Sequence, residues 1–192
     1  MLTTQSIVTF AEYLDNAAKS NTCYELVQGN LVPMTPATFL HTWIAKFLER
    51  LFDQQIMTHS YSWVTYRETV GLRIGTNTVR LPDVVVAPLS AVENLKMNSS
   101  VIQSAVPLVV ETISPSLIHE NYQAKLQDYQ SINVQEYWIV NPLELNKVSI
   151  YKGQDNNYQL TIFEQNQPIQ SQVFPELKVT PNQIFAASAQ GC

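Results

Sequence analysis

Three apolar runs constrain the fold of this chain more than any other feature of its sequence. They lie at residues 80–87, 107–113 and 136–140, and hydrophobic side chains occupy both faces of them instead of alternating with polar ones. A strand with one wet face alternates, whereas a strand that is apolar on both faces needs cover on both sides. The runs therefore predict central strands of a sheet with helices packed against it.

The segments around these runs predict helices and hairpins. Thr9, with Glu12 three residues later, has the pattern of a capping box opening a helix over residues 9–18. Gly29 separates two short strand-like segments and predicts a hairpin turn. Further elements are expected as helices at 37–53, 118–132 and from 180 onward, strands within 61–74, a polar loop at 90–104 with room for one helical turn, and a hairpin of 148–151 with 158–163.

Composition is that of an ordinary globular protein. Of the 192 residues, 45% are hydrophobic and 14% are charged, so one domain over residues 1–192 is predicted and disorder is excluded. Apolar runs are too short to span a membrane, and the N-terminal residues lack a signal-peptide pattern, so a cytoplasmic protein is expected. Cys23 and Cys192 form neither a disulfide framework nor a zinc pattern.

Charge argues against tight, autonomous binding to nucleic acid. Eleven Lys and Arg residues against sixteen Asp and Glu residues give a net charge of −5, and no basic run occurs. Proteins that hold nucleic acid by its phosphates usually carry a basic stripe. The acidic balance does not exclude a nuclease, because a bound metal ion in a cleft supplies local positive potential.

Three polar residues interrupt the apolar pattern. Asp83 starts a valine-rich strand, and Glu111 lies inside another apolar strand. A buried carboxylate needs a partner or a metal ion, and two on neighbouring strands suit Mg²⁺ or Mn²⁺. Lys125 lies on the apolar face of its predicted helix and points inward. Two acids and an inward lysine are an arrangement for metal-assisted hydrolysis, in which the ammonium stabilises developing negative charge.

Each of these residues also has a structural interpretation. Asp83 could cap a turn after a proline, and Lys125 could pack its stem while its amine reaches water. Glu111 and Lys125 could form a structural ion pair in a fold without activity. His41 lies in the middle of the apolar face of its helix and is interpreted as a partly buried, hydrogen-bonded core histidine.

A series of short motifs runs through nearly the whole chain. They are Tyr24-Glu25-Leu26-Val27-x-Gly29, Pro82-Asp83, Val110-Glu111-Thr112-x-Ser114-Pro115-Ser116, Lys125-Leu126-x-x-Tyr129, Glu136-Tyr137-Trp138-Ile139-Val140-x-Pro142 and Phe174-Pro175-Glu176-Leu177. None is specific alone, but their order and spacing resemble the Uma-type family of restriction-endonuclease-like proteins, within the PD-(D/E)XK nuclease superfamily. Asn121 and Asn141 stand where acids are common in that family.

This resemblance implies both a fold and a reaction. The implied fold is α/β and restriction-endonuclease-like, with a mixed β-sheet flanked by helices and, in this chain, a C-terminal β-hairpin extension. The implied reaction is hydrolysis of phosphodiester bonds in DNA by an endonuclease that depends on Mg²⁺ or Mn²⁺. Nucleases of this superfamily often form homodimers, so a homodimer is expected.

The resemblance also implies roles for individual residues. Asp83 and Glu111 correspond to the metal ligands, and the carbonyl of Thr112 to a further ligand. Glu25 corresponds to an upstream acid that, in relatives, holds a second metal ion or a water molecule. The family carries its lysine on the helix after the second acid, which is where Lys125 lies.

Two other functions fit the same residues. One is a non-catalytic module that keeps the nuclease fold and binds nucleic acid or another partner. The other is a hydrolase that uses the same site on RNA or on branched or damaged DNA. Divalent-ion binding separates the first from an enzyme, and a panel of substrates separates the second from a nuclease of duplex DNA.

Overall fold

Helices pack on two β-sheets in this protein. The computed structural model describes residues 7–20, 22–95, 99–113, 121–144, 146–154 and 157–186. The helices in these ranges are α1 Phe10–Lys19, α2 Phe39–His59, α3 Leu89–Val92, α4 Asn121–Ser131 and α5 Pro181–Ala186, with a 3₁₀ turn at Glu93–Leu95. The strands are β1 Tyr24–Val27, β2 Asn30–Pro33, β3 Trp63–Arg67, β4 Gly71–Gly75, β5 Thr78–Arg80, β6 Val84–Pro88, β7 Val101–Ile102, β8 Leu108–Thr112, β9 Glu136–Asn141, β10 Lys147–Gln154 and β11 Asn157–Glu164.

The larger sheet has six strands in the order β11-β10-β9-β8-β6-β3. Strands β8 and β9 run parallel, and the other neighbours run antiparallel. The three apolar runs become β6, β8 and β9, in the middle of this sheet, and the C-terminal hairpin adds β10 and β11 at one end. The predicted fold class, a mixed sheet flanked by helices, is therefore confirmed.

The central strands divide their side chains between two apolar clusters. Val84 and the other side chains on its face of the central strands pack against Phe52 and other residues of α2. Val85 and the side chains that share its face pack on the opposite side, against Tyr129 of α4. Successive side chains of a strand point to opposite faces, so this division is what a strand covered on both sides requires. Any polar side chain on β6 or β8 is consequently held away from bulk water.

A second sheet of five strands, in the order β2-β1-β5-β4-β7, is the main difference from the sequence-based prediction of one sheet. Strand β7 has two residues and pairs in parallel with Gly71 and Leu72 of β4. It lies at the end of the stretch predicted at residues 90–104 as a polar loop with one helical turn; α3 and the 3₁₀ turn lie at the start of that stretch. Such a short strand is stabilised by its distant partner, so its own residues give no local signal.

Local signals at the N-terminal elements are confirmed. Thr9 and Glu12 form the reciprocal capping box of α1. Gln28 and Gly29 have φ angles of 49° and 81°, as the tight turn between β1 and β2 requires. A side chain at Gly29 would also collide with Ile7. Helix α2 extends beyond the predicted 37–53 to His59, and the predicted start of α4 at 118–120 lies outside the described residues.

None of the helices in the described ranges has the length and apolar character that crossing a membrane requires.

Candidate active site

Two buried carboxylates lie side by side, one directly before β6 and one in the neighbouring strand β8. Val84 of β6 pairs with Val110 of β8 in antiparallel register, so the adjacent residues Asp83 and Glu111 face each other across this pair of strands. Both are buried, with 8% and 4% of their surface exposed. The alternation that places Val109 toward α4 also places Glu111 on that side.

Helix α4 supplies two donors to Glu111. Lys125 Nζ lies 2.8 Å from Glu111 Oε1, and the Tyr129 hydroxyl donates to the same oxygen at 2.6 Å. Residues four apart share a helix face, so one turn of α4 carries both groups. The Lys125 amine therefore does not extend to water but contacts Glu111 inside the protein. The structural ion pair remains an alternative to a catalytic role, since this contact is common to both.

Asp83 is held by a backbone amide and by His41. The N–H of Thr112 donates to Asp83 Oδ2 at 2.5 Å, and His41 Nε2 lies 2.7 Å from the same oxygen. His41 is in the first turn of α2, which Thr38 caps. The histidine is partly buried, as interpreted from the sequence, but its partner is the site acid. The signal in the sequence was a polar ring on an apolar face, which needs a partner that the sequence does not identify.

Glu25 lies in a buried charge network and not in an open position. Arg80 Nη1 contacts Glu25 Oε2 at 2.9 Å, and the Leu81 N–H donates to Oε1 at 3.1 Å. Lys125 Nζ is 3.3 Å from that same Oε1. Arg80 also contacts Asp128 Oδ2 at 2.7 Å. Both oxygens of Glu25 therefore already accept donors, and Arg80 joins the hairpin strand β1 to α4.

Burial and neighbouring charges shift the pKa values of Glu111, Lys125 and Glu25 in opposite directions. Burial, reinforced by Asp83 and Glu25, raises the pKa of Glu111 to about 7, although Lys125 acts to lower it. Burial alone would lower the pKa of Lys125, but Glu111 and Glu25 outweigh it and raise that pKa above its ordinary value. Burial would likewise raise the pKa of Glu25, but Lys125 and Arg80 outweigh it and lower that pKa. Lys125 is consequently charged at neutral pH.

His41 has a raised pKa for the same reason. Burial would lower the pKa of its imidazole, but the hydrogen bond and negative charge of Asp83 outweigh burial. The carboxylates of Glu111 and Glu68 act in the same direction. Three carboxylates, those of Asp83, Glu111 and Glu68, therefore raise the pKa of the His41 imidazole.

Glu68 is a carboxylate that sequence reasoning missed. Its φ angle of 61° lies in the left-handed region, which is uncommon for a residue other than glycine. Its N–H donates to the Asp83 carbonyl at 3.1 Å. Its Oε1 is buried and has no hydrogen-bond partner among the described residues. Only the backbone path through Glu68 brings this side chain to the site, so no local sequence pattern reveals it.

The charges of the site leave room for a cation. Its acids, Glu25, Glu68, Asp83, Glu111 and Asp128, outnumber its basic groups, Arg80, Lys125 and the His41 imidazole, even when the imidazole is counted as charged. A buried carboxylate oxygen without a partner is often explained by a bound ion or water. In the ranges that the structure describes, no three His, Cys, Asp or Glu side chains already form a metal cluster. Mg²⁺ does not need one, because it commonly takes one or two carboxylates and keeps several waters.

The sequence-predicted site residues thus lie together. Asp83, Glu111, Thr112, Lys125 and Glu25 are all buried and are linked by the contacts above. Asp83, Glu111 and the Thr112 carbonyl are the oxygen donors that could hold Mg²⁺ or Mn²⁺, which favour such hard ligands. The Lys125 ammonium is the cationic group beside Glu111.

The family follows from a comparison with known proteins. The model of the Uma2 family, described as "Putative restriction endonuclease", matches residues 10–182. The chain belongs to the Uma2 family. No curated protein sequence matches this Uma2 protein.

Solved structures share the fold of this Uma2 protein at low sequence identity. One is described as a putative nuclease belonging to DUF820, from Anabaena variabilis. It is 15% identical, has a TM-score of 0.74, and the match covers 91% of this chain and 98% of that one. The type IIG restriction endonuclease BpuSI matches at 13% identity with a TM-score of 0.39, over 84% of this chain and 17% of that one. The first similarity establishes the fold; the second is too low for an argument.

Proposed function

We propose that this Uma2 protein is an endonuclease that hydrolyses phosphodiester bonds in DNA and depends on Mg²⁺ or Mn²⁺. The observation that carries the proposal is that Asp83, directly before β6, and Glu111, in the neighbouring strand β8, lie together with Lys125 beside Glu111. Family membership supports the same reaction class. Fold similarity alone does not establish an activity, so the proposal depends on these three side chains.

Each residue has a distinct role in this proposal. Asp83, Glu111 and the Thr112 carbonyl would hold the metal ion, which polarises the phosphate and lowers the pKa of a bound water when present. Lys125 stabilises the negative charge that develops on the phosphate oxygens. Glu25 contacts the Lys125 ammonium as a second carboxylate besides Glu111 and helps to hold it in place. We assign Glu25 this supporting role, and not that of a second metal ligand, because both of its oxygens already accept donors.

Metal binding and cleavage of the same variants test the proposal. Mn²⁺ and Mg²⁺ are titrated by calorimetry into the wild type, Asp83→Asn and the matched control Asp15→Asn. Asp15 is exposed and, among the described residues, pairs with Lys19 alone. We expect Mn²⁺ binding in the wild type and the control, and its loss in Asp83→Asn. Nicking of supercoiled DNA should follow the same order, while undiminished nicking by Asp83→Asn would rule out this site.

A non-catalytic module for nucleic acid or another partner is the second candidate. It is favoured by the contacts that already occupy Glu25 and one oxygen of Glu111. In that case the wild type would bind no Mn²⁺ and cut no DNA. A panel of RNA, branched DNA and mismatched DNA, assayed with the same variants, separates a hydrolase of another substrate from both.

We also propose a cytoplasmic homodimer. The last strand, β11, is an edge of the larger sheet, and its Leu160 and Ile162 side chains are 45% and 42% exposed. An apolar edge strand is a template for pairing with another chain. Sedimentation equilibrium should show a dimer at micromolar concentration. A monomer throughout that range would contradict this assembly.

A further inference from the structure

We infer that His41 and Tyr129 are positioning residues that make each acid of the site a one-oxygen ligand and thereby favour Mg²⁺ and Mn²⁺ over Ca²⁺. The inference rests on the proposed metal-dependent function. It concerns which oxygen of each carboxylate is available, and it assigns a role to two side chains that the proposed chemistry does not use.

Asp83 has one occupied oxygen. A carboxylate oxygen has about two lone-pair sites. The Thr112 N–H and the His41 imidazole both contact Oδ2, at 2.5 Å and 2.7 Å. Across the described part of the chain, no donor is found on Asp83 Oδ1. The second oxygen is therefore the one that can contact a cation.

Glu111 shows the same division. Lys125 Nζ and the Tyr129 hydroxyl both contact Oε1, at 2.8 Å and 2.6 Å. No residue of the described ranges donates to Oε2. Tyr129 is fully buried, so its hydroxyl has no water to replace Glu111, and breaking this bond would leave a buried donor unsatisfied. Each acid thus keeps one oxygen on two protein donors, and no residue of the described ranges donates to the other oxygen.

This division discriminates between cations. Ca²⁺ takes six to eight oxygens and often uses both oxygens of a carboxylate, whereas Mg²⁺ is octahedral and takes single oxygens with waters. A cation that bound both oxygens of Asp83 would displace the buried hydrogen bond from His41, and one that bound both oxygens of Glu111 would displace the hydrogen bond from Tyr129. A cation that binds a single oxygen of each acid displaces neither. The site should therefore bind Ca²⁺ poorly relative to Mn²⁺.

The chain offers matched variants for a test. Tyr129→Phe removes one hydroxyl from Glu111. Tyr137→Phe removes a buried hydroxyl that has no hydrogen-bond partner in the described structure, from a ring 4.9 Å away from that of Tyr129. His41→Leu removes the donor to Asp83, whereas His41→Gln keeps an N–H at a similar distance from the backbone. These are tests of hydrogen bonding, since each pair leaves the packing volume similar.

The experiment measures Mn²⁺ affinity by electron paramagnetic resonance, and Ca²⁺ affinity by competition with Mn²⁺, without DNA. We expect Tyr129→Phe and His41→Leu to strengthen the binding of Ca²⁺ relative to that of Mn²⁺ by roughly tenfold, which corresponds to about 1.4 kcal/mol. Tyr137→Phe and His41→Gln should keep the wild-type ratio. Circular dichroism spectra are compared first, so that only folded variants are scored.

Three results would overturn the inference in distinguishable ways. An unchanged Ca²⁺ to Mn²⁺ ratio in both Tyr129→Phe and His41→Leu removes the positioning role but leaves the proposed function, provided Asp83→Asn abolishes Mn²⁺ binding. Loss of Mn²⁺ binding in both His41 variants makes His41 a ligand and not a positioning residue. Absence of Mn²⁺ binding in the wild type overturns this inference together with the proposed function.

Discussion

Glu111 is the residue at which burial and neighbouring charge compete most directly. It is buried beside Asp83 and Glu25, which disfavour its ionised form, and it contacts Lys125 and Tyr129, which stabilise that form. The acids and burial outweigh the lysine, so the pKa of Glu111 rises from 4.5 to about 7. A carboxyl that holds its proton in the folded state and releases it in the unfolded state links stability to pH.

We predict that Glu111 makes the protein less stable as pH rises through the neutral range. Because its folded pKa is above its unfolded value, its contribution is fully present below pH 4.5 and is lost as pH rises through about 7. The free energy of unfolding of the wild type, minus that of Glu111→Gln, should fall by up to about 3 kcal/mol over this window. Urea unfolding in EDTA measures it, and a pH-independent difference would contradict the prediction.

Arg80 connects elements that are distant in sequence. It extends from β5 to Glu25 on β1 and to Asp128 on α4, and it is only 2% exposed. Asp128 lies between Lys125 and Tyr129 on α4, so Arg80 contacts the same turn of the helix that carries both donors to Glu111. The position of α4 thus depends on a buried ion pair as well as on apolar packing.

Removing the buried Arg80 ion pairs should lower the free energy of unfolding far more than removing a similar pair at the surface. Arg80→Met keeps the apolar stem but leaves Glu25 with one fewer counter-ion, and we expect a loss of about 3 kcal/mol. The control is Arg67→Met, because Arg67 pairs with Glu49 at 2.7 Å with both side chains partly exposed. Its loss should stay below about 1 kcal/mol. Equal urea midpoints for the two variants would contradict the assigned role of Arg80.

Glu136 is a buried carboxylate with a structural role, in contrast to the site acids. It is fully buried at the start of β9 and accepts hydrogen bonds from Trp138 Nε1 at 3.1 Å, Ser171 Oγ at 2.6 Å and the Gln172 N–H at 2.7 Å. The donors from Ser171 and Gln172 attach the segment before α5 to the larger sheet. Because its partners are neutral donors of the fold, Glu136 is satisfied without a metal ion.

Glu136→Gln should therefore destabilise the protein without changing metal binding. The substitution places an N–H₂ group among donors, and we expect a loss of about 2 kcal/mol in the free energy of unfolding. Glu176→Gln, in the same C-terminal region but exposed, should change stability by less than about 0.5 kcal/mol. Unchanged Mn²⁺ affinity in folded Glu136→Gln completes the test. A weakened affinity would place Glu136 among the site residues.

The charge of the whole molecule limits how it can hold DNA. A net charge of −5 repels the phosphate backbone, and Lys125 and Arg80 are already paired with acids. Under the proposed function, the attraction to DNA is therefore expected to come from the divalent ion at the site. The two positive groups nearest the acids contribute to the site and little to general affinity.

We predict that DNA binding depends on the divalent ion. In EDTA near 0.15 M salt, the affinity for a phosphorothioate duplex should be weaker than about 10 µM, in the range of non-specific binding. Mn²⁺ should strengthen it by roughly tenfold, which corresponds to about 1.4 kcal/mol. Asp83→Asn should remove that gain. Fluorescence anisotropy measures the affinity in EDTA, the affinity in Mn²⁺ and that of Asp83→Asn. Tight binding in EDTA would show that a basic surface, and not the divalent ion, dominates the affinity for DNA.

The sequence by itself determined the central strands and the acids on them. Residues 80–87, 107–113 and 136–140 are apolar on both faces, and a carboxylate within such a run is visible because it breaks a pattern of period two. Lys125 was visible in the same way, as a charge on the apolar face of a helix of period 3.6. Local periodicity carries this information, so these features did not depend on how the elements pack.

The tertiary structure alone decided which side chains complete the site. His41, Glu68 and Arg80 lie on α2, on the bend after β3 and on β5, and each meets the site through contacts between segments far apart in the chain. The second sheet and its strand β7 were likewise decided by distant pairing. The division of oxygens on Asp83 and Glu111 has the same origin. Periodicity shows that a residue is turned inward, but only the packing of whole elements determines what it meets there.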